Sequence, residues 1–231
     1  MPEDDDNKTP YLSEVFDDHI TKTIPFYYLF HQETIKFIRS FPSLPNIWLD
    51  TGCGTGTLVN MALGEFPKTN FFLLDPSESM LTQARQKLIN TQDGRIKFLK
   101  PSPTQNFSQE LEKKPDVITA ILCHHYLSRK DREKATNVCY ELLKESGLYI
   151  TFENIRPLTE EGVDIGKRYW ENFQLAQGKD PEEVQNHLAR FDVEYFPLTV
   201  EEHLKLLRKT GFRIVEPFWY SYMQAGFYSI K

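Results

Sequence analysis

The sequence predicts an α/β fold, a three-layer sandwich in which a mostly parallel sheet of seven strands, the last antiparallel, lies between helices. Three observations predict it. The apolar run Ile47-Trp48-Leu49 ends in Asp50 and runs straight into Gly52, Gly54 and Gly56, and helical period begins at Leu58; that is a strand, a tight turn and a helix. From 46 to 153, short apolar runs alternate with segments of helical period, the mark of a parallel sheet covered on both faces. Finally, the runs at 212–219 and 222–230 are joined too tightly for a crossover, so they must form an antiparallel pair.

The elements follow in chain order. Residues 1–10 are acidic and poor in apolar side chains, and read as a disordered tail. Residues 11–45 form an N-terminal helical lid: Val15, Phe16 and Ile20, then Phe26, Tyr27, Phe30, Ile35, Phe37 and Ile38 keep helical spacing, broken at Pro25, where a new helix can start. Pro42 and Pro45 close this segment. Strands are expected near 46–51, 70–75, 95–100, 116–122 and 147–153, and helices near 56–65, 77–90, 105–113 and 128–144. Residues 155–196 read as a helical insertion over the strand ends, with a helix from Pro181 to Arg190. Thr199 with Glu202 is a capping-box pair for a last helix over 200–210, which stops at Gly211. The main domain thus spans 46–231.

At 231 residues and a formal net charge of −6, the chain suits one elaborated domain. An acidic balance argues against nucleic acid as partner, since phosphate attraction supplies most of that affinity. Cys53, Cys123 and Cys139 share no metal-ligand spacing and leave one thiol over in any disulfide scheme. They read as reduced thiols, and no metal is expected. No apolar stretch approaches a membrane span, and the N-terminus lacks a signal-peptide core; a cytoplasmic protein is expected, monomer or homodimer.

The glycine turn brings bare backbone N–H groups and a helix N-terminus against a ligand. A dinucleotide fingerprint would need glycine at Thr57, and Asp50 would repel a pyrophosphate. A second apolar strand, Phe71–Leu74, ends in Asp75, nineteen residues after Gly56; ribose-binding acids stand about twenty residues beyond such glycines. Asp50, the three glycines and Asp75-Pro76-Ser77-Glu78-Ser79-Met80 together resemble the first two motifs of class I S-adenosylmethionine (SAM)-dependent methyltransferases. The resemblance covers 46–231, specific at these two motifs and architectural elsewhere. It implies a Rossmann-like fold and SAM as cofactor, released as S-adenosylhomocysteine, with a methyl group passed to a small-molecule acceptor. Asp50, Gly52, Cys53, Gly54, Gly56, Asp75, Pro76, Met80 and Leu122 become candidate cofactor residues. At the third strand end the family often has an acid for the adenine amino group; this chain has Pro101-Ser102-Pro103, so Ser102 or a backbone carbonyl would have to substitute.

His124-His125-Tyr126, after Val117–Cys123, resembles the His-His-Leu fourth motif of small-molecule methyltransferases, with Tyr for Leu. In-line methyl transfer needs little beyond proximity, and a base only where the acceptor must lose a proton. His125, or else His124, is the candidate base; packed rings are the alternative. Candidate acceptor-pocket residues are Tyr27, Tyr28 and His31 from the lid, Tyr126, then Glu153 and Asn154 at the fifth strand end. Trp170, Arg190, Trp219 and Tyr222 join them from the insertion and hairpin, and aromatics with one arginine suit a small planar or anionic acceptor.

Two other functions stay open. Phe16-Asp17-Asp18 with Ile24-Pro25 resembles the N-terminus of carboxy-SAM synthases and tRNA wobble-uridine modification enzymes, although no arginine stands out for an extra carboxylate. A non-catalytic SAM-binding protein is the third.

Overall fold

Seven strands hydrogen-bond in the order β3-β2-β1-β4-β5-β7-β6 in the computed structural model, which describes residues 6–89 and 94–231. The first five are β1 (Ile47–Thr51), β2 (Asn70–Leu74), β3 (Ile96–Phe98), β4 (Val117–Ile121) and β5 (Leu148–Asn154). They pair in parallel. β7 (Gln224–Ile230) runs antiparallel to both β5 and β6 (Ile214–Ser221). The strand order reverses between β1 and β4, and that switch point opens a crevice beyond the carboxyl ends of the strands.

The helices are α1 (Phe16–Thr23), α2 (Tyr27–Arg39), α3 (Thr57–Ala62), α4 (Glu78–Leu88), α5 (Arg129–Leu142), α6 (Glu160–Ala176), α7 (Pro181–Ala189) and α8 (Val200–Thr210). Most start on the side chain that the sequence offers. Ser77 accepts from Met80 N–H, Ser128 from Asp131 N–H and Asp180 from Glu182 N–H, the last with Pro181 at the first helical position. Thr199 and Glu202 form the expected reciprocal box. The predicted end of the helix at 90 lies outside the described residues.

One predicted helix is missing. Over 105–113 the chain makes only a 3-10 turn, Thr104–Asn106. Pro101 and Pro103 enforce extended backbone before it, and Phe107 and Leu111 alone give too little apolar face for a short helix. The turn is tied to β1 by a hydrogen bond between the Thr104 and Thr51 hydroxyls.

The N-terminal helices pack on the sheet and the insertion. Phe30 of α2 stacks on Phe152, and Phe37 meets Phe218 and Tyr228. Trp170 of α6 is fully buried and donates its indole N–H to the Thr23 carbonyl at 2.6 Å. α1, α6 and α7 therefore form one roof over the crevice. Residues 6–10, expected in a disordered tail, run along that roof and make the hydrogen bonds given below. Residues 1–5 lie outside the described part.

Candidate functional site

The turn after β1 is shaped by close approach. Gly52 has φ +67°, and a Cβ there would lie 2.4 Å from Cys123 Cβ. Only glycine lets β1 and β4 emerge so near each other. Gly54 has no neighbour within 4 Å of its would-be Cβ, and its N–H donates to Asp75 Oδ2 at 2.9 Å. Asp75 Oδ1 accepts from Ser77 N–H, also at 2.9 Å. The glycine turn and the end of β2 thus share one carboxylate.

Asp50 is positioned from the core outward. Trp48 Nε1 donates to Thr119 Oγ1 at 2.8 Å, and that hydroxyl donates to Asp50 Oδ1 at 2.6 Å. The register allows this, because Asp50 pairs with Thr119 and Trp48 lies two residues back on the same face. Burial raises the Asp50 carboxyl to about 7 and Asp75 to about 6, with the neighbouring carboxylates adding to the effect. Two acids in one crevice favour a cation or hydroxyl-rich ligand.

A cavity of about 360 Å³ joins these residues to the acceptor candidates, within the span usual for small-molecule sites. Asp50, Gly52, Cys53, Gly54, Asp75, Pro76, Met80 and Leu122 line it, as do Tyr27, His31, His125, Tyr126, Asn154 and Arg190. Other candidates stand elsewhere. Gly56 instead packs its α-carbon against α4, its would-be Cβ 3.2 Å from Ala84 and Leu88. Ser102 does not reach the cavity: its hydroxyl turns to the Pro103 carbonyl, and Pro103 and Gln105 form the wall there. Trp170 is core. Tyr28 is half exposed on the outer face of α2, while Trp219 and Tyr222 pack with Phe26 and Tyr169 away from the cavity. Their aromatic spacing was a signal of packing.

His124 and His125 occupy a 3-10 turn (His124–Tyr126) after β4, and only His125 lines the cavity. Glu153 stands behind it. Glu153 Oε2 accepts from His125 N–H at 2.9 Å and from Nδ1–H at 2.8 Å, and Oε1 accepts from the Thr151 hydroxyl at 2.8 Å. Burial alone would raise Glu153, but the His125 hydrogen bond and the fields of His125, His124 and Arg132 hold it down to about 2. Burial keeps His125 below its ordinary value, only partly offset by Glu153. A neutral ring with its proton on Nδ1 follows, leaving Nε2 with a long 3.3 Å contact from the Asn154 amide. Gln224 fixes that amide by donating to Asn154 Oδ1 at 3.0 Å.

Arg190, an acceptor-pocket candidate from the sequence, is buried and lies over the Tyr126 ring, 6.0 Å from its centroid. Sequence reasoning missed other participants. Asp17 of α1 accepts from Thr55 Oγ1 at 2.7 Å and from Lys87 Nζ at 2.6 Å, latching the roof to the glycine turn. The sequence marked it only as part of Phe16-Asp17-Asp18, with nothing local to link it to Thr55 or Lys87. Tyr11 and Lys8 also line the cavity, beside Tyr195 of the insertion, whose aromatics the sequence did offer. Among the described residues no cluster of three or more His, Cys, Asp or Glu could hold a metal ion, and no helix is long and apolar enough to cross a membrane.

Buried histidines set the acid response. Burial lowers His31 and His124 to about 4, and His187 and His203 to about 3. Unfolding frees these rings to take up protons below about pH 6.5, so stability falls as the pH drops from there toward 4. Asp50 and Asp75 oppose this, because the folded state binds their protons first. These four rings, joined by His125, which burial also lowers, outnumber the two carboxyls and leave an uptake of at least roughly two protons near pH 5, about 3 kcal/mol per pH unit or more. The melting temperature should drop steeply from about pH 6 to about pH 4.5 in scanning calorimetry. A flat or rising curve would contradict these assignments.

Residues 49–149 match the family model described as a methyltransferase domain. Among curated proteins, the carboxy-S-adenosyl-L-methionine synthase of Trichodesmium erythraeum is 26% identical over 88% of this chain and 79% of its own. That of Staphylococcus epidermidis is 26% identical over 93% and 91%. Among solved structures, a plantazolicin methyltransferase bound to a triazolic substrate analogue and S-adenosylhomocysteine superposes with TM-score 0.67 at 16% identity, over 95% of this chain and 89% of that one. An O-methyltransferase family protein from Burkholderia thailandensis gives 0.64 at 14% identity, over 95% and 59%.

Proposed function

We propose that the protein, which carries a class I SAM-dependent methyltransferase domain, transfers the cofactor's methyl group to a small acceptor that bears an anionic group and loses a proton to His125. The observation that carries this is the His125–Glu153 pair in the same enclosed cavity as Asp50, Gly54 and Asp75. The cavity's donor set suits the cofactor. In this reading Asp75 would accept from the ribose hydroxyls, and Asp50 would face the amino group of the methionine part. Pro76, Met80 and Leu122 offer apolar cover to the base. When bound, SAM supplies an electrophilic methyl group on a sulfonium.

The protein's part is to position, deprotonate and exclude water. Glu153 holds His125 in the tautomer that leaves Nε2 a lone pair. Because the ring's pKa is depressed, it is neutral and ready to accept at pH 7. Arg190 offers a charge-assisted donor to a carboxylate or phenolate, and Tyr126 and Tyr195 give a planar acceptor two walls. α1, α2 and the insertion shut out water.

A second reading rests on Arg190 together with the curated relatives, whose printed name is carboxy-S-adenosyl-L-methionine synthase. In that reading Arg190 pairs with a carboxylate carried on the cofactor itself. One experiment separates the two: denature the freshly purified protein and weigh the released nucleoside, then incubate the protein with SAM and a panel of small acids and phenols. S-adenosylhomocysteine with a methylated acid supports the first reading. A carboxylated SAM supports the second and overturns the first.

A further inference from the structure

Residues 6–11 all line the cavity, crossing from the start of α4 to the end of α7. At the first end the Asp6 carboxylate accepts from Ser77 Oγ at 2.6 Å, Glu78 N–H at 2.7 Å, Ser79 Oγ at 2.7 Å and Ser79 N–H at 3.3 Å. These donors follow directly on Asp75-Pro76. At the other end Arg190 Nη2 donates to the Lys8 carbonyl at 2.7 Å, while its Nε is taken by Glu194 at 2.7 Å. Tyr11 closes the run, its hydroxyl accepting from the buried Lys179 at 2.5 Å.

We propose that residues 6–11 are a strap that closes the cavity over the cofactor, and that the Lys8 carbonyl holds the Arg190 donor which an anionic substrate group must take. The second half rests on Arg190 being the anion anchor, as argued above. The two ends differ in the way such a device requires. The Asp6 end stands at the surface, where charge-assisted bonds are weakened by water and can open and reclose. At the Arg190 end, a buried guanidinium whose Nε is held by Glu194 gives its Nη2 to a neutral carbonyl. A carboxylate is the stronger partner for it, so an incoming anion displaces the strap while a neutral molecule does not. The strap is also part of the cavity wall, so a cofactor reaches Asp75 only when residues 6–11 have lifted.

The test uses the full chain, with S-adenosylhomocysteine and benzoate as probes. Asp6→Ala should release bound S-adenosylhomocysteine on the order of tenfold faster than the parent, at an unchanged melting temperature. Release at the parent rate would overturn the strap. In the S-adenosylhomocysteine complex, amide hydrogen exchange across 6–11 should slow relative to the free protein, then quicken when benzoate is added. Arg190→Gln should abolish the benzoate response. Benzoate that binds without changing exchange in 6–11 would overturn the shared donor and leave the cofactor strap standing. Absence of any S-adenosylhomocysteine binding by the parent would overturn the cofactor site itself, and the strap with it.

Discussion

Replacing Asp75 with alanine should weaken binding of SAM and S-adenosylhomocysteine alike by on the order of a hundredfold or more, from two charge-assisted hydrogen bonds at about 1.5–3 kcal/mol each. The carboxylate is held from both sides, Gly54 N–H on Oδ2 and Ser77 N–H on Oδ1, so its two oxygens keep one fixed orientation. Asp75→Asn should lose less, because one acceptor oxygen survives. Burial raises Asp75 to about 6. Below that pH the empty site is protonated, and a proton must leave before both hydroxyls can be accepted. Affinity should therefore fall as the pH drops, through about 7 as Asp50 takes a proton and further through about 6 as Asp75 does, and only the second step should vanish in Asp75→Asn. Titration calorimetry at several pH values reads both effects. An alanine variant that binds at parental affinity would remove Asp75 from the site.

The contrast between Asp75 and Asp17 shows which parts of the site a sequence discloses. Asp75 was legible because it ends an apolar run at a fixed distance from three glycines, and sheet topology converts that spacing into a position. Asp17 acts on the same glycine turn through Thr55. Its partners Thr55 and Lys87 lie 38 and 70 residues away in sequence, across contacts that no local pattern encodes. Arg190 follows the same logic: the helix before it was legible from Pro181, whereas the direction of its guanidinium depends on how α7 meets Tyr126. Ser102 failed for the opposite reason. It sits at a strand end like the others, but the flanking prolines turn its hydroxyl onto the backbone. The alternation of strand and helix, the antiparallel β7 and the capping box at Thr199 were all fixed by short-range rules and came through. The aromatic residues of the hairpin were not assignable, because packing against Phe26 and facing a ligand leave the same trace in sequence.

His125→Asn should lower kcat by on the order of a hundredfold or more if the ring takes the acceptor's proton, with the dissociation constant for S-adenosylhomocysteine unchanged. Asparagine is the informative replacement, because its amide can still donate to Glu153 and spare the protein an unpaired buried charge. Glu153→Gln tests the other half of the pair. It keeps the shape and removes the charge that stabilises a protonated ring. The rate should fall, and the acid limb of the pH–rate profile should move to lower pH, because the influence raising His125 is gone while burial continues to lower it. The direction is diagnostic: a purely structural Glu153 would cost stability and rate without moving the limb. Should His125→Asn retain kcat within about threefold, against the hundred- to ten-thousandfold that general-base loss costs, the ring is packing. Methyl transfer would then proceed by orientation alone, which in-line displacement permits for an acceptor already deprotonated at neutral pH.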